Sequence, residues 1–180
     1  MKAMTGADAN RYPARLYSVL RRACLGLLLA LVSFGAGGED LKFPAPGPKD
    51  TCPVCGMFVS RYPDWVATVL YQDGHAHHFD GPKDLFKYLL DLDKYAPGHR
   101  RADIAALGVT EYYSLTRIDA QAAWYVIGSD VLGPMGHELI PLRTREAAEE
   151  FQRDHQGKRL LRFDEVTGPL LLKLDQGRFE

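Results

Sequence analysis

At 180 residues, with 46% hydrophobic and 25% charged positions, the chain is long enough to bury one ordinary core and needs no disulfide scaffold to fold. Its net charge of −1 hides an asymmetry: residues 1–37 carry Lys2, Arg11, Arg15, Arg21 and Arg22 against Asp8 alone, which leaves the remainder acidic. An acidic body is repelled by a phosphate backbone, so nucleic acid is excluded as the expected partner.

The basic start runs into the uncharged apolar stretch Ala23–Gly38, which ends in small residues. Positive flank, short apolar centre and small-residue exit read as a secretory signal over residues 1–37, with cleavage expected near Gly35 or Gly37. The run is shorter than the roughly 20 residues a membrane-spanning helix needs, so an uncleaved anchor is the weaker alternative. Cys24 sits at the start of the apolar run, and leaves with the leader. The mature chain is therefore expected outside the cytoplasm, with membrane contact only through its leader or a partner, and with two cysteines in a compartment where thiols oxidise.

Residues 38–50 hold three prolines and no apolar period, and read as an extended linker. The folded domain, residues 51–180, then opens on D-T-C-P-V-C-G-M-F-V-S. Trp65–Tyr71 is rich in β-branched and aromatic residues, and Asp73-Gly74 separates it from H-A-H-H-F. A hairpin pairing Val66–Tyr71 with His75–Phe79 through a type I′ turn follows. Asp80 or Gly81 can cap the next helix, with Pro82 in its first turn and Leu85, Phe86, Leu89 and Leu90 at helical spacing. Residues 93–109, richer in Pro, Gly and charge, read as a connecting segment.

A second round of the same elements is expected. Tyr112–Ile118 and Ala123–Gly128 are strand candidates, S-D-V-L-G-P-M-G leads into H-E-L-I-P-L, and Thr144 caps a helix with acids in its first turns. Gly157 is the expected stop and Arg159–Phe163 a last strand. Strand, turn, strand, helix thus recurs, giving an α+β fold of mostly antiparallel strands with packed helices, in two related lobes at about 51–107 and 110–167.

The chemistry concentrates in sulfur. Cys52, Cys55 and Met57 fall within six residues, and Met135 stands in a Gly and Pro loop where a methionine is not core filler. Thiolate and thioether donors select Cu(I), which accepts two or three ligands, over hard cations. Zinc is the nearest competitor, with Cys52 and Cys55 joined by two of His75, His77, His78 and His137, but it leaves both methionines unexplained. His75 and His77 share one face of their strand and His78 the other; His137 is the reserve ligand or proton-linked neighbour. A thioredoxin-like pair is disfavoured because Gly56, Val59 and Pro63 oppose a helix after the cysteines. A plain Cys52–Cys55 disulfide is the simplest state of the metal-free chain. No nucleophile elbow, phosphate-binding loop or H-E-x-x-H occurs, so a binding or transfer protein is expected rather than an enzyme.

The segments C-P-V-C-G-M-F, A-W-Y-V-I-G-S-D-V-L-G-P-M-G and L-R-F-D-E resemble the NosL family of accessory proteins for nitrous oxide reductase, and the resemblance runs from about Thr51 to Thr167. It implies a periplasmic Cu(I) chaperone of two related ββα-type halves, similar to part of organomercurial lyase. It also implies delivery of copper toward the sulfur-bridged cluster of nitrous oxide reductase, with a membrane transporter complex as partner. By position it marks Cys55, Met57 and Met135, with Cys52 also matching. Many members resemble lipoproteins with a cysteine closing the leader, and that cysteine is missing here.

Overall fold

The computed structural model describes residues 42–180; the signal reading over 1–37, and Cys24 with it, lies outside the described residues. Strand β1 (Ala67–Tyr71) pairs with β2 (Ala76–Phe79) as the turn chemistry requires, in the register Ala67 to Phe79 and Val69 to His77. The turn itself is not type I′. Gly74 takes a φ of 86°, whereas Asp73 keeps a negative φ, and Gly74 donates its N–H to Tyr71 O at 3.0 Å. A three-residue loop with one left-handed glycine twists the strands as a primed turn would.

Helix α1 (Pro82–Leu90) follows at once, with Gly81 at its N-cap and Pro82 at its first position. It buries Leu85, Phe86 and Leu89 as the spacing predicts, but Leu90 turns outward and is 51% exposed. A short helix α2 (Leu92–Tyr95) leads to the first clear correction. The expected connecting segment contains β3 (Ile104–Thr110), which pairs antiparallel with β1 and takes an interior place in the sheet. Ile104, Val109 and Thr110 favour a strand but Ala105, Ala106 and Gly108 do not, so pairing with β1 and packing decide the strand. A Cβ on Gly108 would stand 2.7 Å from the Phe43 ring, so the absent side chain makes room for Phe43, and the described part of the linker lies on the sheet at that point rather than hanging free as a tether.

The strand expected over Tyr112–Ile118 shrinks to β4 (Arg117–Asp119). Glu111 breaks it by accepting Ser114 N at 2.7 Å and Ser114 Oγ at 2.6 Å, and Leu115 closes the turn at a φ of 55°. β4 completes a four-stranded sheet in the order β2-β1-β3-β4, so the first sheet extends past residue 110.

The second sheet, β8-β5-β9, is built from β5 (Trp124–Ile127), β8 (Ile140–Leu142) and β9 (Arg159–Arg162). Between β5 and β8 a small hairpin, β6 (Leu132–Gly133) with β7 (Gly136–His137), carries Met135 at its tip. Helix α3 (Arg145–Asp154) starts as predicted, Thr144 Oγ1 accepting Ala147 N at 3.1 Å. At its end Gln156, not Gly157, adopts the left-handed conformation; Gly157 is needed because a Cβ would meet Val126 Cγ1 at 2.4 Å. A last helix, α4 (Gly168–Asp175), was not anticipated from the sequence.

Both sheets repeat one plan. In each, the first strand is central, its hairpin partner flanks it on one side, a helix follows, and a third strand returns antiparallel on the other side. Strand alternation splits β5 between two cores: Val126 joins Ile140, Leu142 and Phe151 beneath α3, while Tyr125 and Ile127 face the main core. There Phe86 of α1 meets Tyr125 edge to face at 5.2 Å, fixing α1 between the two sheets. Truncating a fully packed aromatic of this kind costs on the order of 3–5 kcal/mol.

Candidate metal centre

The cysteine loop is closed by its own backbone. Cys52 N donates to Met57 O at 2.8 Å, Gly56 N donates to Cys52 O at 2.9 Å, and Thr51 bridges Phe58. Gly56 makes the reversal at a φ of 78°, open to solvent, so its glycine serves conformation rather than space. Cys52 is buried and Cys55 half-buried, and both are free thiols, so the disulfide expected for the metal-free chain is not formed. Backbone N–H groups of Cys55 and Val54 favour a thiolate at Cys52, and that of Met57 does so at Cys55.

Two carboxylates face this loop. Asp80 closes β2 and Asp84 lies in the first turn of α1; both are buried. Cys55 Sγ donates to Asp80 Oδ1 at 3.1 Å and Cys52 Sγ to Asp84 Oδ2 at 3.4 Å. One ligand atom from each of Cys52, Cys55, Asp80 and Asp84 lies within 4.8 Å of the others. Asp80 Oδ2 and Asp84 Oδ1 have no hydrogen-bond partner despite burial, although Lys87 Nζ stands 3.7 Å from the latter. Buried oxygens left unsatisfied point to something more that the site takes up.

Burial, more than any charge, pushes both thiols upward. Cys55 rises to about 12, with Asp80 adding to the effect, and Cys52 rises further, with Asp84 adding its negative charge. At neutral pH both therefore hold their protons. This is the opposite of an activated redox thiol, whose pKa is lowered by a helix N-terminus or a cation.

The remaining predicted ligands divide. Met135 is 44% exposed and shares with Cys55 the wall of one cleft of about 770 Å³, lined also by Val54, Asp84, Leu90 and Leu172. Met57 is half-buried and contributes its carbonyl to the loop; its side chain is not part of that cleft wall. His137 packs its ring 5.0 Å from that of Phe179, with Nδ1 buried and unpartnered, and does not join the cysteine cluster. Nor do His75, His77 or His78, so the carboxylates complete the group that a zinc reading assigned to imidazoles.

One lysine sets the Met135 turn. Lys83 of α1 is buried and donates from Nζ to Met135 O at 2.9 Å and His137 O at 2.7 Å, while pairing with Asp175 at 3.0 Å. Alongside it, Glu138 caps α1 from the other sheet's hairpin, Oε1 accepting Lys83 N at 2.6 Å and Leu139 N at 2.9 Å. Helix α1 has no side-chain cap of its own, so this distant carboxyl takes that place. Burial raises Glu138 to about 8 against the opposing pull of those N–H donors and of Lys83.

Asp80, Asp84 and Lys83 were not singled out from the sequence as site residues. The available signal was D-G-P-K-D directly after a strand, with one acid just before the helix and one in its first turn; Asp80 was assigned instead to capping.

Residues 45–171 match the protein-family model described as NosL. The chain is 28% identical over 170 residues to the copper-binding lipoprotein NosL of Stutzerimonas stutzeri, with 86% of each protein covered. Its fold matches the crystal structure of the copper chaperone NosL from Shewanella denitrificans with a TM-score of 0.59 at 26% identity, covering 71% of this chain and 97% of that one.

Proposed function

The chain belongs to the NosL family, and from that premise we propose that it is a Cu(I)-binding metallochaperone, exported to the periplasm, that delivers copper for the maturation of nitrous oxide reductase. The two relatives named for copper binding and copper chaperoning support the metal and the carrier role. The lipoprotein name of the Stutzerimonas relative supports export. The reading takes nitrous oxide reductase or its copper-delivery transporter complex as partner.

The observation that carries the proposal is the gathering of two thiols with two buried carboxylates beside a cleft that also exposes Met135. Cu(I) is the cargo, and the sulfurs of Cys52, Cys55 and Met135, with Met57 as a further candidate from the same loop, are its soft donors. Carboxylate oxygen is a poor partner for Cu(I), so Asp80 and Asp84 serve as proton acceptors. As a thiol takes the ion, its S–H bond breaks, sulfur keeps the electron pair for the metal, and the proton passes along the existing S–H···O contact to the carboxylate and then to water. Return of the protons favours release. A low coordination number allows an incoming donor to add before a protein sulfur leaves.

Anaerobic Cu(I) titration against a chromogenic chelator tests this. One ion per chain is expected, with Cys55→Ser abolishing high affinity and Met135→Leu or Met57→Leu weakening retention about tenfold without loss of fold. Unchanged retention in both methionine variants removes the thioether assignment. A second reading, a zinc site of two cysteines and two aspartates, rests on the carboxylates within the same group. Anaerobic purification followed by metal analysis separates the two.

A further inference from the structure

The H-A-H-H motif finds no use in the sulfur site. His75 stands just before β2 and His77 two positions on within it, so their rings lie side by side at the start of the strand, and the loop after α2 brings His99 to them. Ring centroids lie 4.7 Å apart for His75 and His77, 5.8 Å for His77 and His99, and 6.2 Å for His75 and His99. Tyr71 fills the floor between them, 4.4 Å from His99 and 5.6 Å from His77. Three imidazoles gathered from two elements exceed what a solvated hairpin end requires, although as the rings stand their nitrogens do not share one ligand sphere.

The inner ring is oriented by a second layer. His77 Nδ1 meets Tyr88 Oη at 2.5 Å, and Tyr88 Oη is hydrogen-bonded in turn to Tyr71 Oη. A metal-binding imidazole characteristically gives its other N–H to an oxygen, which fixes the tautomer and aims the free nitrogen outward. Here a buried phenol pair supplies that oxygen, and Nε2 of His77 is the nitrogen left for a ligand. His75 is exposed and His99 half-buried, so both outer rings can turn about χ1 and χ2 to close the set. Asp73 holds the backbone of His75, its Oδ1 accepting that N–H at 2.9 Å.

We propose that His75, His77 and His99 form a second, sulfur-free metal site for a divalent cation of the first transition row, Cu(II) foremost. Imidazole nitrogens suit Cu(II), Ni(II) and Zn(II), and among these the affinity order places Cu(II) first. His77 and Asp80 are three positions apart along the chain, about 10 Å at the usual strand rise, so the two sites are distinct and one can fill while the other is occupied.

The test is Cu(II) titration of the mature chain carrying Cys52→Ser and Cys55→Ser, followed by electron paramagnetic resonance. One bound ion with nitrogen hyperfine splitting is expected, and His75→Ala or His99→Ala should each weaken it at least tenfold, while His155→Ala leaves it unchanged. A nitrogen-free signal, or affinity indifferent to both variants, overturns the proposal. If the double serine variant does not fold, Zn(II) titration of the Cu(I)-loaded parent asks the same question. One further equivalent lost with His99→Ala sustains the site, and no further equivalent refutes it. In the double serine variant the outcome does not depend on whether the cysteines are the Cu(I) ligands.

Discussion

Cys55 Sγ donates its proton to Asp80 Oδ1 across 3.1 Å, joining a loop reversed by Gly56 to the residue between β2 and the N-cap of helix α1. Burial is the main reason the thiol stays protonated, and this contact adds to it, because ionisation would set a thiolate against a carboxylate. Asp80→Asn should remove that opposition. Alkylation of Cys55 by iodoacetamide at pH 8 is expected to accelerate several-fold in the metal-free variant, since reactivity follows the thiolate fraction. An unchanged rate would assign the raised thiol to burial alone.

Copper uptake should be coupled to pH. With Cys55 raised to about 12 and Cys52 pushed higher, both thiols are protonated throughout the range from pH 6 to 9, and each sulfur that binds Cu(I) must release a proton. The logarithm of the apparent affinity should therefore rise by about two per pH unit if both cysteines ligate, and by about one if a single cysteine does. Competition titrations at three pH values measure the slope, and a flat profile would contradict thiolate ligation.

Lys83 predicts a coupling. Lys83→Met leaves the carbonyls of Met135 and His137 without their buried donor and should cost about 2–4 kcal/mol of stability, measured by urea unfolding. It should also loosen the Met135 turn. Cu(I) retention of the Lys83→Met, Met135→Leu double variant is then expected to match that of Lys83→Met alone, because residues acting through one interaction are not additive.

Glu138 makes stability depend on pH in a stated direction. Its carboxyl is raised from 4.5 to about 8, so between those values the folded chain holds a proton that the unfolded chain has given up. This contribution is full below 4.5 and is lost as pH rises through 8. The urea midpoint of the parent should fall across pH 5 to 8 more steeply than that of Glu138→Gln. Gly81→Ala should be destabilising at every pH, by about 1–3 kcal/mol, because its Cβ would stand 2.4 Å from Glu138 Oε2.

The legible parts of the fold were those written in local chemistry. Asp73-Gly74 marked the hairpin, Pro82 the start of α1, and Thr144 the cap of α3, and the family resemblance carried by C-P-V-C-G-M and W-Y-V-I-G-S-D is matched by the family model over residues 45–171. What stayed hidden depends on distant partners. β3 is a strand because β1 pairs with it and Phe43 fills the space over Gly108, and neither fact is readable in I-A-A-L-G-V-T. The site shows the same limit. The cysteines announce themselves by spacing, but Asp80 and Asp84 become site residues only when the turn before α1 is folded against the loop. Lys83 was inconspicuous because a lysine in an N-terminal turn ordinarily points to water, and here it is buried by elements far along the chain.

A single ammonium group serves the Met135 carbonyl, the His137 carbonyl and the Asp175 carboxylate at once. The β6–β7 hairpin, the first turn of α1 and the end of α4 are consequently geared together, and displacing any one strains the grip on the other two. A docking protein that pulled only on the C-terminal helix would thereby reach the thioether without touching it.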